Sequence, residues 1–161
     1  MAVPLKSTDI ATILDEIGVT EKELQKRYNK IVSRLICIIE STFPVVLSNP
    51  LALKELHDLR ITCKKLRYML ELLPDENKLA IQTRKSLQKI QDNLGFIHDS
   101  DFTISYLRSL PQSSKEIQEI IDKENDHRRL QFERFLNYSK RHLKISPDSF
   151  LFKIRSFKLF T

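Results

Sequence analysis

One run of basic side chains has the spacing needed to act together on an anion. At about 100° per residue, residues three or four apart in a helix fall on one face. The following residues meet that spacing and are called the basic stripe: His57, Arg60, Lys64, Arg67 and Glu71. From His57 to Arg67 a helix rises about 15 Å at ~1.5 Å per residue, so the stripe can contact several phosphates of one extended anion.

Two interpretations of the basic stripe remain open from residue types alone. Charged stripes on helices are usually solvated or paired with acids of a neighbouring helix. Asp92, Asp99 and Asp101 could supply such acids. Against this, the stripe runs beside a row of leucines, which would partly desolvate it. A desolvated cation binds an anion more strongly than a solvated one.

The stripe lies within a segment whose boundaries predict one helix. Asn49 is a suitable N-cap, Pro50 suits the first helical position, and Pro74 ends the segment. An apolar seam with alternating steps of three and four residues runs along it: Leu56, Leu59, Cys63, Leu66, Leu70 and Leu73. That period is typical of packing in helical bundles.

The segments before it are also helical by pattern. A short helix is predicted over 7–17, ending at Gly18. Thr20 and Glu23 then form a capping box for a longer helix, and Pro44 is expected to kink or end it. The apolar seam of this helix is predicted as Leu24, Tyr28, Ile31, Leu35 and Ile38, and three further residues widen the apolar face: Ile39, Phe43 and Val46.

Two long helices and a short one are predicted in the rest of the chain. One spans about 75–110, and a second opens with the capping box of Ser113 and Glu116 and runs to about residue 143. The seam of the first is predicted as Leu79, Thr83, Leu87, Ile90, Leu94 and Ile97. A tail helix is expected over about 147–159. The fold class is therefore all-α: an antiparallel four-helix bundle with short extra helices at both termini, as one domain over 1–161 with its core at about 20–145.

Composition excludes several classes of protein. The chain has 161 residues but only two glycines, too few for a glycine-rich phosphate loop or a hairpin-rich sheet. No apolar run is expected to reach the roughly 18 residues of a membrane span, so we expect a cytoplasmic protein without membrane contact. The net charge is +6, and residues 1–50 carry none of it, so the later helices are the basic ones.

Few residues suggest catalysis, metal binding or a disulfide. Cys37 and Cys63 each lie among apolar residues, and we expect buried, reduced thiols. His98, Asp99 and Asp101 could bind a divalent cation, but neighbouring residues of a helix point apart, and we expect no metal. Instead, Asp99 is expected to pair with the basic helix. No acid cluster or nucleotide loop is visible, so we expect no enzyme and no cofactor.

Two stretches together resemble a known family. His57-Asp58-Leu59-Arg60, followed by Lys64-Lys65-Leu66-Arg67-Tyr68 and Glu71, is similar to the signature of the CHAD family, the conserved histidine α-helical domain. The stretch from Leu87 to Gly95, followed by Asp99, is similar to the second element of that family. The resemblance covers residues 50–110 strongly and the flanking helices only by pattern.

The resemblance implies a helical module that binds inorganic polyphosphate between its helices. It assigns the arginines of the stripe to bidentate phosphate contacts, the lysines to point charges, His57 to a hydrogen-bond donor and Tyr68 to a hydroxyl. The site residues expected on this basis are His57, Arg60, Lys64, Lys65, Arg67, Tyr68, Lys85, Lys89, Arg128 and Arg134.

The chain departs from the family pattern in one respect. Full CHAD domains resemble two related halves, whereas this chain has one motif helix, because the basic run 126–130 lacks the later part of the signature. Either one bundle binds a shorter stretch of polymer, or two chains pair as a homodimer, which we favour. The apolar tail, with Phe150, Leu151, Phe152, Ile154 and Phe157, is expected either at that contact or in the core.

Two other functions stay open. Nucleic-acid binding is compatible with the basic balance, although the charge is modest and the chain has no Trp. A helical adaptor for an acidic protein is the other. Association with polyphosphate storage granules is compatible with the implied function.

Overall fold

Every regular element in the described part of the chain is an α-helix. The computed structural model describes residues 18–73, 77–111, 114–142, 151 and 154–155. Its helices are α1 (Glu21–Ser48), α2 (Leu53–Glu71), α3 (Lys78–Ser109) and α4 (Lys115–His142). Short connections join successive helices, and each helix packs against the next along the chain. The predicted all-α bundle is confirmed.

Side-chain contacts between α3 and α4 give the direction of the two helices. Ser100, late in α3, donates a hydrogen bond to Glu124, early in α4. Ser86, early in α3, lies 3.4 Å from the Nδ1 atom of His142 at the end of α4. The two helices are therefore antiparallel, as their short connection requires.

The predicted seams of α2 and α3 form most of the core. The α2 residues are all buried: Leu56, Leu59, Cys63, Leu66, Leu70 and Leu73. The α3 residues Thr83, Leu87, Ile90, Leu94 and Ile97 are buried too, and Leu79 is partly buried against them. Phe43 of α1 meets Phe135 of α4 edge to face, with ring centroids 6.3 Å apart. This contact joins the first and last helices of the bundle within the core.

Helix α1 begins as predicted but continues further. Thr20 and Glu23 form the capping box, and their hydrogen bond holds the pKa of the Glu23 carboxyl below its ordinary value. The expectation that Pro44 could end the helix is wrong, because α1 continues to Ser48. Ile31 is also misassigned to the core: it is 46% exposed. Five predicted residues of this face are buried: Tyr28, Leu35, Ile39, Phe43 and Val46. Val32 and Ile36 complete the buried face.

Helix α2 starts later than predicted. Its N-cap is Ala52, without a side-chain hydrogen bond, and not Asn49. Asn49 ends α1 instead, and its Oδ1 accepts a hydrogen bond from the backbone N–H of Leu51. Asn49 and Pro50 thus form a turn between the helices, which is an equally common use of this residue pair.

The caps of α3 and α4 are side-chain hydrogen bonds. Asn77 accepts from the N–H of Ala80 at the start of α3, which then runs unbroken through Gly95. At the start of α4, Ser114 accepts from the N–H of Ile117. A hydrogen bond with Ser114 also keeps the pKa of the Glu116 carboxyl below its ordinary value. The predicted cap Ser113 and the predicted helix at 7–17 lie outside the described residues.

Three described residues of the tail pack against the bundle. Leu151 and Ile154 are each 1% exposed and belong to the core cluster. Arg155 makes an ion pair with Glu40 of α1 at 2.8 Å. Of the two expected positions for the apolar tail, Leu151 and Ile154 therefore occupy the core and not a dimer contact. Phe150, Phe152 and Phe157 are outside the described part of the chain.

Helix α1 contains a stretch long and apolar enough to cross a membrane. The expectation that no such stretch exists is therefore wrong. The core-facing side chains of α1 pack against the other helices, as they do in the core helix of a soluble protein. The core helix of a soluble protein and a membrane-spanning helix can have the same length and hydropathy.

The two cysteines differ in environment. Cys63 is fully buried, and burial raises the pKa of its thiol to about 12. Cys37 is exposed, so the prediction that both thiols are buried is wrong for it. Both are free thiols.

Candidate functional site

An open groove between α2 and α3 collects basic side chains from both helices. Its volume is about 470 Å³. It is called the α2–α3 groove and is lined by Arg67, Glu71, Ile81, Arg84, Lys85, Gln88, Lys89 and Asp92. Three of the expected site residues, Arg67, Lys85 and Lys89, therefore lie at one place.

The rest of the basic stripe continues along the same seam between α2 and α3. The ring of His57 lies against the ring of His98, with centroids 5.7 Å apart. One turn later on α2, the Arg60 side chain passes over Gly95 of α3. Because α2 and α3 are antiparallel, Lys64 follows between these contacts and the groove. The stripe thus borders α3 along its length.

Tyr68 holds two of the cations by its ring. The guanidinium carbon of Arg67 lies 4.6 Å from the ring centroid, and the ammonium nitrogen of Lys64 lies 5.7 Å from it. Both distances are within the range of cation–π contacts. These contacts favour conformations in which both side chains lie against the ring. The role that the resemblance implies for the hydroxyl of Tyr68 stays a prediction.

Acidic side chains neutralise only part of this basic surface. Glu71 accepts a hydrogen bond from Arg67 at 2.8 Å, within the same helix. Asp92 lines the groove and accepts from Gln88 at 2.6 Å. Asp101 pairs with Arg128 of α4. Within the described ranges Asp99 makes no ion pair with α2, so that expectation is wrong.

Several cations beside the groove have no acidic partner. No ion pair with any described residue is made by Lys64, Lys85 or Lys89. The Nε atoms of Arg60 and Arg67 are buried without a hydrogen-bond acceptor. A buried donor without a partner costs free energy.

Lys65 lies apart from the stripe that it was grouped with. At ~100° per residue its side chain points about 120° away from the middle of the stripe. Since the stripe borders α3 and α2 also packs against α1, Lys65 lies on the side of α2 toward α1. It is exposed there.

The two expected residues of α4 lie elsewhere. Arg128 is 7% exposed, and it donates to the carboxylate of Asp101 and, at 2.9 Å, to the carbonyl oxygen of Pro50. It is thus a buried structural cation and not an accessible one. Arg134 is exposed on α4, but the described residues of α4 contribute nothing to the groove lining.

Sequence reasoning missed three residues of the seam. Arg84 and Gln88 line the groove, and His98 meets His57. Arg84 and Gln88 are one turn apart and adjacent to Lys85 and Lys89, so helical spacing alone could have revealed them. The contact between His98 and His57 depends on the register of α3 against α2, and no local sequence pattern predicts that register.

The alternative metal site is not formed by the residues proposed for it. His98 packs on His57, and Asp101 is engaged by Arg128. In the described residues there is no group of three or more His, Cys, Asp or Glu side chains that could hold a metal ion.

The arrangement is suited to binding an extended anion that has several negative charges. Arginine can hold phosphate oxygens by two parallel hydrogen bonds, whereas lysine acts as a point charge. The groove is open to solvent along one side, so a polymer can enter without threading.

Comparison with protein families gives one match. A family model described as the CHAD domain matches residues 12–108, more than half of the chain. The match includes α1, α2 and nearly all of α3 but not α4. No curated protein and no solved structure matches the chain.

Proposed function

Because the chain belongs to the CHAD domain family, we propose that it binds inorganic polyphosphate in the α2–α3 groove. The family is associated with polyphosphate binding, which gives the class of ligand. The observation that carries the proposal is the set of cations along this seam that have no acidic partner. Inorganic polyphosphate has about one negative charge per internal phosphate. It has no nucleobases, so charged contacts with the phosphates are enough to bind it.

The contacts would divide between the two helices. From α2 the contacts would come from His57, Arg60, Lys64 and Arg67, and from α3 they would come from Lys85 and Lys89. Each cation that neutralises a phosphate releases a condensed counterion, so the affinity should fall as salt rises. The cation–π contacts of Tyr68 support binding because they hold Lys64 and Arg67 before the ligand arrives.

The groove is proposed to bind without catalysing a reaction. A phosphoryl-transfer site needs groups that stabilise the charge of the transition state and position a nucleophile, usually with metal-binding acids. Glu71 and Asp92 are the two acids of the groove, and each is hydrogen-bonded to a neighbour on its own helix. A CHAD domain generally acts as a binding module, which agrees with this proposal.

Charge reversal tests the proposed groove. Lys64→Glu with Lys85→Glu should abolish retention on immobilised polyphosphate in moderate salt, while helicity by circular dichroism stays unchanged. The matched control is Lys115→Glu with Lys123→Glu, which changes the net charge equally on exposed positions of α4. The control should be retained. Equal retention of both variants would reject the groove as the site.

Nucleic acid is the competing ligand, since a basic groove attracts any polyanion. Against it, the described residues that line the groove include no aromatic ring on which a base could stack. Equal competition by single-stranded DNA of the same charge would favour the nucleic-acid function. An acidic protein partner remains a further alternative, and it would compete with polyphosphate for the same cations.

A homodimer is proposed to complete the site. One side of the groove is open, and a second copy facing it would enclose the polymer from both sides. Leu151 and Ile154 are packed in their own chain, so the contact must use other residues. Light scattering with and without polyphosphate tests this: we expect the dimer to form or to increase with polymer.

We place the protein in the cytoplasm, where it would meet polyphosphate, and association with polyphosphate granules is one purpose consistent with the proposed ligand. Imaging of a tagged protein together with a polyphosphate stain tests both statements.

A further inference from the structure

Helix α1 has a second row of cations on its outer surface. Lys26, Arg27, Lys30 and Arg34 are all exposed and are called the α1 ridge. Spaced mainly at four residues, they lie on the face opposite the buried side chains of α1. From Lys26 to Arg34 the ridge rises about 12 Å at ~1.5 Å per residue.

The middle of the α1 ridge has no acidic partner. Glu23 lies near Lys26 and Arg27, whose charges help to lower the pKa of its carboxyl. Further along, Glu40 pairs with Arg155. Lys30 and Arg34 make no ion pair with any described residue. Isolated exposed cations repel one another, so an anion between them would lower the free energy.

The α1 ridge lies level with the groove. The connection between α1 and α2 is short and the helices are antiparallel neighbours, so residues equally far from it lie at the same height. Arg34 lies before the end of α1 at Ser48 by roughly as many residues as separate Lys65 from the start of α2 at Leu53. Arg34 and Lys65 are therefore at about the same height. Axes of packed helices are about 8–10 Å apart, a distance that a flexible anion can cross.

Lys65 connects the two basic surfaces. It is exposed on the side of α2 toward α1, away from the groove. Tyr68, with Lys64 and Arg67 against its ring, lies between Lys65 and the groove on the outer surface of α2. A path of cations thus leads from the groove across α2 to Arg34 and along α1.

We propose that the α1 ridge is a second binding track, which a long polyphosphate chain reaches across Lys65 after filling the α2–α3 groove. The proposal rests on the proposed function and adds a preference for chain length. A short chain contacts the groove alone. A long chain contacts both surfaces, and its second contact is intramolecular and therefore occurs at high effective concentration.

Affinity for short and long chains tests the second track. Lys30→Glu with Arg34→Glu should weaken binding of long-chain polyphosphate severalfold but leave tripolyphosphate binding unchanged. With Lys30→Ala and Arg34→Ala, the slope of log affinity against log salt should fall by about 1.4 for the long chain, at ~0.7 per lost contact. Lys115→Glu with Lys123→Glu is the control of equal charge, and we expect both affinities to stay as in the unmodified chain.

Cys37 gives a local readout of occupancy. It is exposed one turn after Arg34, whereas Cys63, the other cysteine, is buried. Long-chain polyphosphate should therefore slow alkylation of Cys37 by iodoacetamide, and tripolyphosphate should not. In the Lys30→Glu/Arg34→Glu variant this protection should disappear.

The outcomes separate the two proposals. If neither polyphosphate binds, the proposed function fails. If tripolyphosphate binds but the ridge variant keeps full affinity for the long chain, only the second track is rejected. Unchanged alkylation of Cys37 under saturating long-chain polyphosphate would also reject the second track, because the ridge would then be unoccupied.

Discussion

The Arg60 side chain lies over Gly95 on the facing helix, and a Cβ atom built at Gly95 would come 3.8 Å from Arg60 Nε. That distance is an ordinary van der Waals contact, so a methyl group fits above Gly95. A longer side chain there would extend toward Arg60. It lies inside a continuous helix, where glycine is an unfavourable residue.

Substitution of Gly95 separates helix stability from the position of Arg60. Gly95→Ala should stabilise the protein by up to about 1 kcal/mol, because alanine favours the helix more than glycine. Polyphosphate affinity should not change. Gly95→Ile should displace Arg60 and weaken binding. Urea unfolding and polyphosphate titration of both variants check this, and equal affinity of the isoleucine variant would contradict the assigned position of Arg60.

Removing the acid beside Arg67 should strengthen binding. In Glu71→Gln the guanidinium loses its 2.8 Å ion pair and is free to bind phosphate. We expect polyphosphate affinity to rise about threefold, since an exposed ion pair is worth roughly 0.2–1 kcal/mol. Unfolding by urea should change by less than about 0.5 kcal/mol. Weaker binding in a titration would show instead that Glu71 is needed to orient Arg67.

Arg128 should matter for stability and not for binding. Its replacement by methionine leaves Asp101 without its partner and frees the carbonyl oxygen of Pro50. Breaking a buried ion pair on one side costs about 3 kcal/mol or more. Urea unfolding should show this loss, while the variant that remains folded should bind polyphosphate as before. A selective loss of affinity would mean that Arg128 contacts the ligand.

The end of the bundle near His142 should make stability depend on pH. Burial, and then the charge of Arg141, lowers the pKa of His142 below its ordinary value of 6.5. The unfolded chain therefore takes up a proton first, so this residue destabilises the fold as pH falls below about 6.5. His142→Gln should remove that part of the dependence. Urea unfolding at about pH 7.5 and pH 5 measures it. An unchanged pH dependence in the variant would contradict the assignment.

The seam of α2 could be predicted in full because its apolar residues recur in steps of three and four along one face of the helix. Helix α1 was harder. It has apolar residues such as Ile31 and Val45 on its outer surface as well, and both are exposed. A face that includes Ile31 and a face that includes Val32 are then nearly equal in hydrophobicity. Only packing against the other helices decides which of the two is buried.

The sequence identifies the basic side chains, but whether each one is accessible or paired depends on the helix that packs beside it. Lys64 and Arg67 face α3 because the α2 leucines define which side is buried, so their place followed from periodicity. Arg128 is indistinguishable from Arg129 in sequence, yet only Arg128 meets Asp101 across the bundle. Such a pairing depends on the register of α3 against α4, which no local pattern contains.

The central claim is that the unpaired cations between α2 and α3 bind a polyanion without bases. Its most direct test is a competition titration of the full chain, with fluorescent long-chain polyphosphate displaced by unlabelled polyphosphate or by single-stranded DNA of equal charge. The account predicts that polyphosphate displaces the label at concentrations at least about tenfold lower than DNA, because the described lining of the groove offers charge but no aromatic ring. Equal displacement by DNA, or no binding of the label at low salt, would contradict it.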